Sequence, residues 1–353
     1  MKHFIAVALA IVVMWSGSSA APAQTRAAWT AVAPMPDGGV GEMYGAVVND
    51  KLYTFGGLAG AFAPLGRVYE FDPAANQWTR KHDMPRAVHH TAQVGLNGKI
   101  YLFGGFAAVP GKPGYLPAGD SWEYSPATDT WRALAPMPTA RGAEAAVTVN
   151  GLIYVVGGAG MHPGVPPAPF NFTGAHQSLD AMEEYNPATN AWRVRSALPT
   201  ARNHFSALAA VDGKIYAIGG RVGSVFIRDA DSTDLVEVYD VATNSWGAVG
   251  ARMPVARSGG CFGVYNGDIY AAGGEYRDGH LIGAFTEFEV YHPRTNTWNV
   301  LPEMPVPRHG CSAGVIGSTF YVAAGGIVSG GTIGGVPVAT PEVDAFNVGG
   351  VSP

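Results

Sequence analysis

The sequence predicts an all-β fold, a six-bladed β-propeller in which every blade is a sheet of four strands. Three recurring features carry this prediction: paired glycines, a tyrosine-containing apolar run before each pair, and a later turn that ends at a tryptophan. The glycine pairs recur at intervals of 48 to 62 residues, at Gly56-Gly57, Gly104-Gly105, Gly157-Gly158, Gly219-Gly220, Gly273-Gly274 and Gly325-Gly326. Self-similarity at such a fixed period is typical of repeat architectures, including propellers.

The first half of each unit predicts a hairpin of two inner strands. Apolar runs such as residues 100–103 and 153–156 lead to the glycine pairs, and they do not alternate with polar residues. An apolar run of this kind indicates a strand that is covered on both faces. Dipeptides such as Asn97-Gly98 and Asp212-Gly213 precede most of the runs, and they accept the positive φ angles of a two-residue turn.

The second half of each unit predicts a hairpin of two outer strands. In the first unit it runs from Phe71 to Trp78, and in the second from Tyr124 to Trp131, with Asp, Asn or Pro in the turn. The aromatic residues at the two ends can pack across the blade. Four strands per unit with these marks resemble the Kelch repeat, from about residue 27 to 348. The resemblance implies one propeller domain over residues 24–353.

The last blade is expected to be closed by the N-terminal strand. The sixth unit ends at residues 342–348 without reaching a tryptophan, whereas Trp29 stands alone before the first unit. The segment at Trp29 matches the one at Trp131, because both are followed five residues later by Pro-Met-Pro. Closure follows physically, since a single blade exposes both faces and a closed ring buries them.

Residues 1–23 have the pattern of a cleavable signal peptide. Lys2 precedes twelve apolar residues, 4–15, and small residues up to Ala23 follow them. A retained membrane anchor would need nearly twenty apolar residues, and no later stretch could span a bilayer. We therefore expect a periplasmic or secreted protein. The formal net charge of −5 offers no basic surface, which argues against a nucleic-acid partner.

One face of the propeller is expected to carry the site. The loops between the second and third strands are long, and they open on the same face as the segments that lead into each first strand. These lead-in segments are rich in arginine and histidine. The candidate ligand-binding residues are Tyr44, Arg86, His89, His90, Arg141, Glu144, Arg202, His204, Arg257 and His309. Alternatively, the arginines are part of the Kelch pattern and bind carbonyls and carboxylates of neighbouring blades, and the histidines are structural or bind a metal.

Three functions are compatible with this face. The first is a binding module for a small molecule, a glycan or a protein partner, supported by aromatic residues in the long loops. These residues are Phe106, Tyr115, Phe170, Phe172, Phe226, Tyr276 and Phe285. The second is a sugar-active mutarotase or epimerase, because the architecture is distantly similar to the N-acetylneuraminate epimerase family. The catalytic candidates are then Glu42, Glu144 and Arg202.

The third function is a copper-radical oxidase, because the blades also resemble those of the galactose oxidase family. His90, His204 and His309 with Tyr44 would supply the copper ligands. Against it, that family's propeller has seven blades, and the lead-in segments contain no Tyr-His pair. We assign no cofactor and no metal from the sequence, and we expect a monomer.

Weaker patterns leave three further interpretations. Residues 310–314 match the text of a Gly-x-Ser-x-Gly nucleophile motif, but they begin an inner strand instead of a strand-to-helix turn. Asp229, Asp231 and Asp234 could bind calcium, although the spacing lacks the glycine and distal glutamate of a calcium loop. Cys261 and Cys311 occupy nearly the same register on adjacent inner strands, so a disulfide between them is possible in an oxidising compartment.

Overall fold

The computed structural model describes residues 28–112, 114–161, 176–227, 230–277, 282–333 and 336–351. The predicted signal peptide over residues 1–23 lies outside these ranges. Within them the chain forms six four-stranded antiparallel sheets, which confirms the prediction of an all-β, six-bladed propeller. In the same ranges no helix has the length and apolar character needed to cross a membrane.

The chain begins with strand β1 (Thr30–Val32) and continues through three units. The first contains β2 (Tyr44–Val48), β3 (Lys51–Phe55), β4 (Leu58–Ala59), a 3-10 turn (Gly60–Phe62), β5 (Ala63–Pro64), β6 (Val68–Asp72) and β7 (Gln77–Lys81). The second contains β8 (Ala92–Leu96), β9 (Lys99–Phe103), β10 (Phe106–Ala108), β11 (Tyr115–Pro117), β12 (Ser121–Ser125) and β13 (Thr130–Ala133). The third contains β14 (Ala145–Val149), β15 (Leu152–Val156), β16 (Ala159–Met161), β17 (His176–Ser178), β18 (Met182–Asn186) and β19 (Ala191–Val194).

Three more units complete the ring. The fourth contains β20 (Ala207–Val211), β21 (Lys214–Ile218), β22 (Arg221–Val222), β23 (Asp231–Ser232), β24 (Val236–Asp240) and β25 (Ser245–Val249). The fifth contains β26 (Cys261–Tyr265), β27 (Asp268–Ala272), β28 (Glu275–Arg277), β29 (Ile282–Ala284), β30 (Phe288–His292) and β31 (Thr297–Val300). The sixth contains β32 (Ser312–Ile316), β33 (Thr319–Ala323), a 3-10 turn (Ser329–Gly331), β34 (Thr332–Ile333), β35 (Val336–Pro337), β36 (Val343–Asn347) and a final 3-10 turn (Val348–Gly350).

The first strand of each unit lies innermost, next to the first strands of the two neighbouring blades. The inner strands follow one another around the axis in the order β2, β8, β14, β20, β26 and β32, and β32 returns to β2. The segments between the second and third blade strands are not simple loops, because each contains a two-stranded ribbon. Single bridges join these ribbon segments to the lead-in segments, for example His89 to Phe106. The two families therefore share one face of the propeller.

Strand β1 is the outermost strand of the sixth blade. It runs antiparallel to β36, with Thr30 opposite Ala345. The Trp29 ring packs against the rings of Phe288, Phe320 and Phe346, with centroids 5.0 to 6.2 Å apart. The first and last strands of the described chain thus belong to one sheet.

A tryptophan links each blade to the blade before it. Within the first blade, Trp78 packs on Phe71 with centroids 5.0 Å apart, as expected for the outer hairpin. Each indole also donates its N–H to a backbone carbonyl of the preceding blade, which the sequence did not indicate. These bonds are Trp78 to Ala33 (2.9 Å), Trp131 to His82 (3.2 Å), Trp192 to Ala135 (2.9 Å), Trp246 to Ser196 (2.9 Å), Trp298 to Ala251 (2.8 Å) and Trp29 to Pro302 (2.8 Å).

The glycine pairs mark places where the backbone turns left-handed in a crowded interior. Gly57 has a φ of 94°, and a Cβ there would lie 2.5 Å from Val40 Cγ1. The sixth unit differs from the sequence pattern by one position, because Ala324 and Gly325 adopt these angles. Gly326 instead leaves space for His309, whose Nε2 would lie 2.6 Å from a Cβ at that position.

Candidate functional site

Six residues, one from each lead-in segment, surround the axis in what we call the axial ring. They are Glu42, His90, Ala143, His204, Gly259 and Gly310, and all have a φ between 47° and 65°. Five of them donate a backbone N–H to the carbonyl of the preceding member over 2.7 to 3.3 Å, and Met43 closes the ring on Gly310 at 3.1 Å. Left-handed residues other than glycine are strained and concentrate at functional sites.

The carboxylate of Glu42 is the centre of a buried polar cluster on this ring. Its Oε2 lies 3.0 Å from Nε2 of His90, and its Oε1 lies 3.3 Å from Nδ1 of His309. The Tyr44 hydroxyl donates to the same carboxylate over 3.2 Å. A Cβ on Gly310 would approach Glu42 Oε2 to 2.5 Å, so glycine at this position leaves room for the carboxylate.

The charges in the cluster follow from these contacts. Burial alone would raise the pKa of Glu42, but the charges and hydrogen bonds of His90 and His309 hold it well below its ordinary value. Burial alone would lower the pKa of His309, yet Glu275 and Glu42 raise it to about 9. At neutral pH the structure therefore holds a buried carboxylate–imidazolium pair. Burial also raises the pKa of Tyr44 well above its usual value, so it stays a hydroxyl donor.

The far side of His309 is held by further polar groups. Its Nε2 donates to the carbonyl of Val328 at 2.9 Å and lies 3.5 Å from Oε2 of Glu275. Glu275 is in turn bound by the guanidinium of Arg221 and by the backbone N–H of Gly330, the latter at 2.6 Å. Both nitrogens of His309 are therefore occupied.

His90 and His204 stand next to each other, with ring centroids 4.6 Å apart in an edge-to-face arrangement. Nδ1 of His204 contacts the side-chain oxygen of Asn203, and Nδ1 of His90 contacts Nδ1 of His89. Burial lowers the pKa values of His204 and His89 well below their ordinary range, so both imidazoles are neutral at pH 7.

The structure brings ligand-type atoms together in two overlapping groups of three. One group consists of Glu42, His90 and His204, and the other of Glu42, Glu275 and His309. In each group one atom from every residue lies within 4.8 Å of the others. The histidines and Tyr44 of the predicted copper set thus lie in one cluster, with Glu42 in the middle.

A cavity of about 380 Å³ lies along the axis and is lined by residues of all six inner strands. Much of its wall consists of small residues, alanine and glycine. The polar side chains of the wall are Tyr44, Thr91, Gln93, Thr148, Glu144 and His204. A void of this volume, whose wall combines apolar surface with a comparable amount of polar surface, has the size of a small-molecule site.

Glu144 is the acid of this cavity. Its exposed fraction is 6%, and among the described residues neither carboxylate oxygen has a hydrogen-bond partner. Burial raises its pKa to about 8, although the positive charge of Arg141 opposes part of the rise. At pH 7 this side chain is therefore mostly a neutral carboxylic acid that can donate a proton.

Three arginines predicted to bind a ligand are structural instead. Their side chains are fully buried and pair with a carboxylate on the third strand of their own blade. The pairs are Arg141 with Glu183 at 2.6 Å, Arg202 with Glu237 at 2.6 Å and Arg257 with Glu289 at 2.7 Å. A guanidinium enclosed in this way cannot reach a ligand, which also removes Arg202 as a catalytic candidate. The alternative of binding to neighbouring blades is corrected too, because these carboxylates lie within one blade.

Two other predicted residues, Arg86 and His89, belong neither to the cavity wall nor to the groups of three around Glu42. Arg86 is half exposed and pairs with Asp120 at 2.6 Å. His89 is buried on the propeller face that carries the two-stranded ribbons, which we call the ribbon face. Its ring lies 4.4 Å from that of Tyr115 and 5.5 Å from that of Phe106. Phe106 and Tyr115 pack into an apolar cluster with Phe226, so they do not form an open aromatic platform.

The remaining patterns resolve as follows. Cys261 and Cys311 form a disulfide with Cα atoms 5.8 Å apart, which joins the fifth and sixth blades. Ser312 of the nucleophile-like pattern lies in β32 and donates to the carbonyl of Met43, so it is not on a strand-to-helix turn. Asp234 pairs with Arg252 at the surface. Besides the predicted signal peptide, the residues of the sequence analysis that lie outside the described part are Phe170, Phe172 and Asp229.

The fold and site define a class: a six-bladed propeller with a histidine- and carboxylate-rich axial site. A model of the KLHDC2/KLHL20/DRC7 Kelch-repeats domain matches residues 24–196. A model of the Kelch motif matches residues 202–247 and 256–305. The chain belongs to the Kelch-repeat family.

Several known proteins are similar to this chain. Kelch-like protein terF of Aspergillus terreus is 30% identical over 308 residues, which cover 85% of this chain and 63% of that protein. Kelch-like protein 15 of Danio rerio is 28% identical over 277 residues, covering 75% of this chain and 43% of that protein. The chain thus spans less than two thirds of these relatives. The solved structure of YjhT aligns with a TM-score of 0.69 and 18% identity over 87% of this chain and 95% of its own, a likeness of fold alone.

Proposed function

We propose that this protein is an exported Kelch propeller that binds a small polar ligand, of the size of a sugar, in the axial cavity. The observation that carries the proposal is the cavity itself, which has about 380 Å³ of space and a wall with few but varied polar groups. Thr91, Gln93 and Tyr44 offer hydrogen-bond donors and acceptors, and Glu144 offers an acidic proton.

The electrostatics beside the cavity support the same site. Glu42 and His309 are buried with strongly shifted pKa values, and His204 belongs both to this cluster and to the cavity wall. Ionisable groups perturbed by burial and by specific charged partners are concentrated at functional sites. A protein partner on the ribbon face remains the other form of a binding module, and the experiment below separates the two.

The test is a ligand screen by calorimetry and thermal shift with neutral sugars, sugar acids and short peptides. Val264 lines the cavity with 37% of its surface exposed, so Val264→Trp should fill the cavity without disturbing the core. Val300, on the outer strand of the same blade, is 72% exposed and gives the matched control Val300→Trp. Ligand binding that is lost only in Val264→Trp supports the proposal. A ligand bound equally by both variants, or only protein partners in a pull-down, would contradict it.

Export is proposed from two features. The residues before Ala23 have the pattern of a cleavable leader, and the disulfide between Cys261 and Cys311 suits an oxidising compartment. The intact mass of protein purified from its native host should correspond to a chain that begins between residues 21 and 24. It should also be lower by two hydrogens than the mass of the same chain with both cysteines reduced. A full-length N-terminus would refute export through a cleaved leader. Size-exclusion chromatography with light scattering should give the mass of a monomer.

A second function, a cofactor-free sugar mutarotase, is favoured by Glu144. Ring opening of a sugar needs an acid and a base, and a buried carboxylic acid with a pKa of about 8 can serve as the acid at neutral pH. Exchange spectroscopy on a panel of sugars would detect faster anomeric exchange. That acceleration should vanish in Glu144→Gln and persist in Glu303→Gln, which changes an exposed glutamate. Exchange at the uncatalysed rate with every sugar would exclude this function.

A further inference from the structure

The axial ring places one carboxylate and two imidazoles around a common point. Glu42 Oε2 lies 3.0 Å from Nε2 of His90, and a ligand atom of His204 lies within 4.8 Å of both groups. We propose that Glu42, His90 and His204 form a binding site for one divalent transition-metal ion. This proposal does not depend on the ligand proposed for the axial cavity.

The neighbours of the two histidines orient them as metal ligands. Nδ1 of His204 is engaged by the oxygen of Asn203, which fixes the proton on Nδ1 and leaves Nε2 with its lone pair. Nδ1 of His90 is engaged by His89, and its Nε2 faces Glu42. Metal-binding histidines generally use their other ring nitrogen in this way, and the contact sets both the tautomer and the ring orientation.

The spacing suits a small metal ion. Zinc binds histidine nitrogen and carboxylate oxygen at about 2.0–2.2 Å, so ligand atoms in a tetrahedral site are roughly 3.3 Å apart. The Glu42–His90 separation of 3.0 Å is close to this value, and the remaining separations, at most 4.8 Å, need side-chain shifts of roughly 1 Å. The backbone of the three residues is already fixed by the hydrogen bonds of the axial ring.

The second group of three is less suited to a metal ion. His309 has one nitrogen against Glu42 and the other against Val328 and Glu275. Glu275 is itself neutralised by Arg221. A metal ion there would have to displace these contacts, whereas the set with His90 and His204 gives up only the direct contact between Glu42 and His90 and keeps the Nδ1 contacts of both histidines.

Two imidazoles and one carboxylate form the mixed nitrogen and oxygen set that zinc, cobalt and ferrous iron accept. Three protein ligands leave at least one coordination position open. Since His204 also lines the cavity, an ion at this site would border the cavity and could bind an oxygen of a molecule held there.

Calorimetry with the EDTA-treated mature protein tests the proposal, with Zn²⁺ as the probe and Co²⁺ as a spectroscopic substitute. We expect one ion per chain and visible Co²⁺ absorption bands typical of nitrogen and oxygen ligands. His204→Gln and Glu42→Gln should each weaken Zn²⁺ binding at least 100-fold. Asn203→Ala, which removes the orienting contact together with the hydrogen bonds from the Asn203 amide to Ser178 and Ser224, should weaken it about 10- to 100-fold.

The matched control is His292→Gln, because His292, on the third strand of the fifth blade, is also buried but pairs with Asp268 on the second strand. This variant should bind Zn²⁺ as tightly as the unmodified protein. Near-ultraviolet circular dichroism of each variant establishes that the ring is folded, and Asn203→Ala serves if His204→Gln does not fold. No stoichiometric binding, or binding unchanged in Asn203→Ala and Glu42→Gln, would overturn the site. Ligand binding in the cavity is measured separately in metal-free protein, so the two proposals can fail independently.

Discussion

Replacing Glu144 by glutamine should make the protein more stable at high pH, and by an amount that grows with pH. The pKa of Glu144 is about 8 in the folded protein because of burial, against an ordinary value of 4.5. Between these values the folded chain retains a proton that the unfolded chain has released. The contribution of Glu144 to stability is therefore complete below pH 4.5, falls as pH rises, and is lost above pH 8.

The size of the effect follows from the separation of the two pKa values. Each pKa unit corresponds to about 1.4 kcal/mol, so the loss from pH 4.5 to pH 8.5 should be roughly 3–5 kcal/mol. Glutamine has nearly the same shape and does not ionise. The difference in unfolding free energy between Glu144→Gln and the unmodified protein should therefore rise by roughly this amount over the same interval.

Urea unfolding followed by tryptophan fluorescence at several pH values between 4.5 and 8.5 measures this difference. Glu303→Gln is the control, because Glu303 is exposed at the surface. Its stability curve should run parallel to that of the unmodified protein. If the Glu144→Gln curve is parallel as well, the carboxyl group of Glu144 ionises as it would in water, and the reasoning about the buried acid is wrong.

Three further predictions concern the framework of the ring. Changing both Cys261 and Cys311 to serine should lower the unfolding free energy by about 4 kcal/mol, because the disulfide spans 50 residues; an unchanged urea midpoint would contradict this. Trp29→Ala should lower the free energy of unfolding by roughly 3–5 kcal/mol, since it removes three ring contacts and a hydrogen bond. A decrease below 1 kcal/mol in the same assay would show that this tryptophan does not hold the sixth blade. Arg202→Met should lower the free energy of unfolding by roughly 3–5 kcal/mol, because it leaves the Glu237 carboxylate buried without its cationic partner. Adding Glu237→Leu should restore most of the lost stability. A double variant no more stable than the single one would refute that pairing.

The fold could be predicted from the sequence because its physical requirements repeat. Each blade needs the same left-handed turns and the same outer tryptophan, and both leave marks at a regular interval. The exception is instructive: Gly325-Gly326 looks like the other pairs, yet Ala324 and Gly325 occupy the equivalent positions. The last glycine is there because His309 lies against it, a packing requirement that no local pattern reveals.

The site was only partly predictable. Glu42, His90 and His204 were found because they fall in one register of the lead-in segments, and His309 was found because it lies one position before that register in the sixth segment. Register does not reveal where a long side chain ends, so Arg141 and Arg202 looked like equally good candidates.

Arg141 and Arg202 pair with buried glutamates at the same position of the third strand in successive blades. This recurrence of glutamate is the sequence pattern that could have shown the two arginines to be structural. Arg221 and Glu275 were missed because they follow glycine pairs, in segments interpreted as loops. The bridges to the lead-in segments show that this position also faces the site.

The arrangement of the sixth blade has a consequence for how the gene could be rearranged. Trp29 and Val351, near the two ends of the described chain, pack against the same apolar cluster. A short linker could therefore join Trp29 to Val351, and new termini could be opened in the exposed turn between β18 and β19. Such a circular permutant should fold to the same ring, since no blade is geometrically first or last.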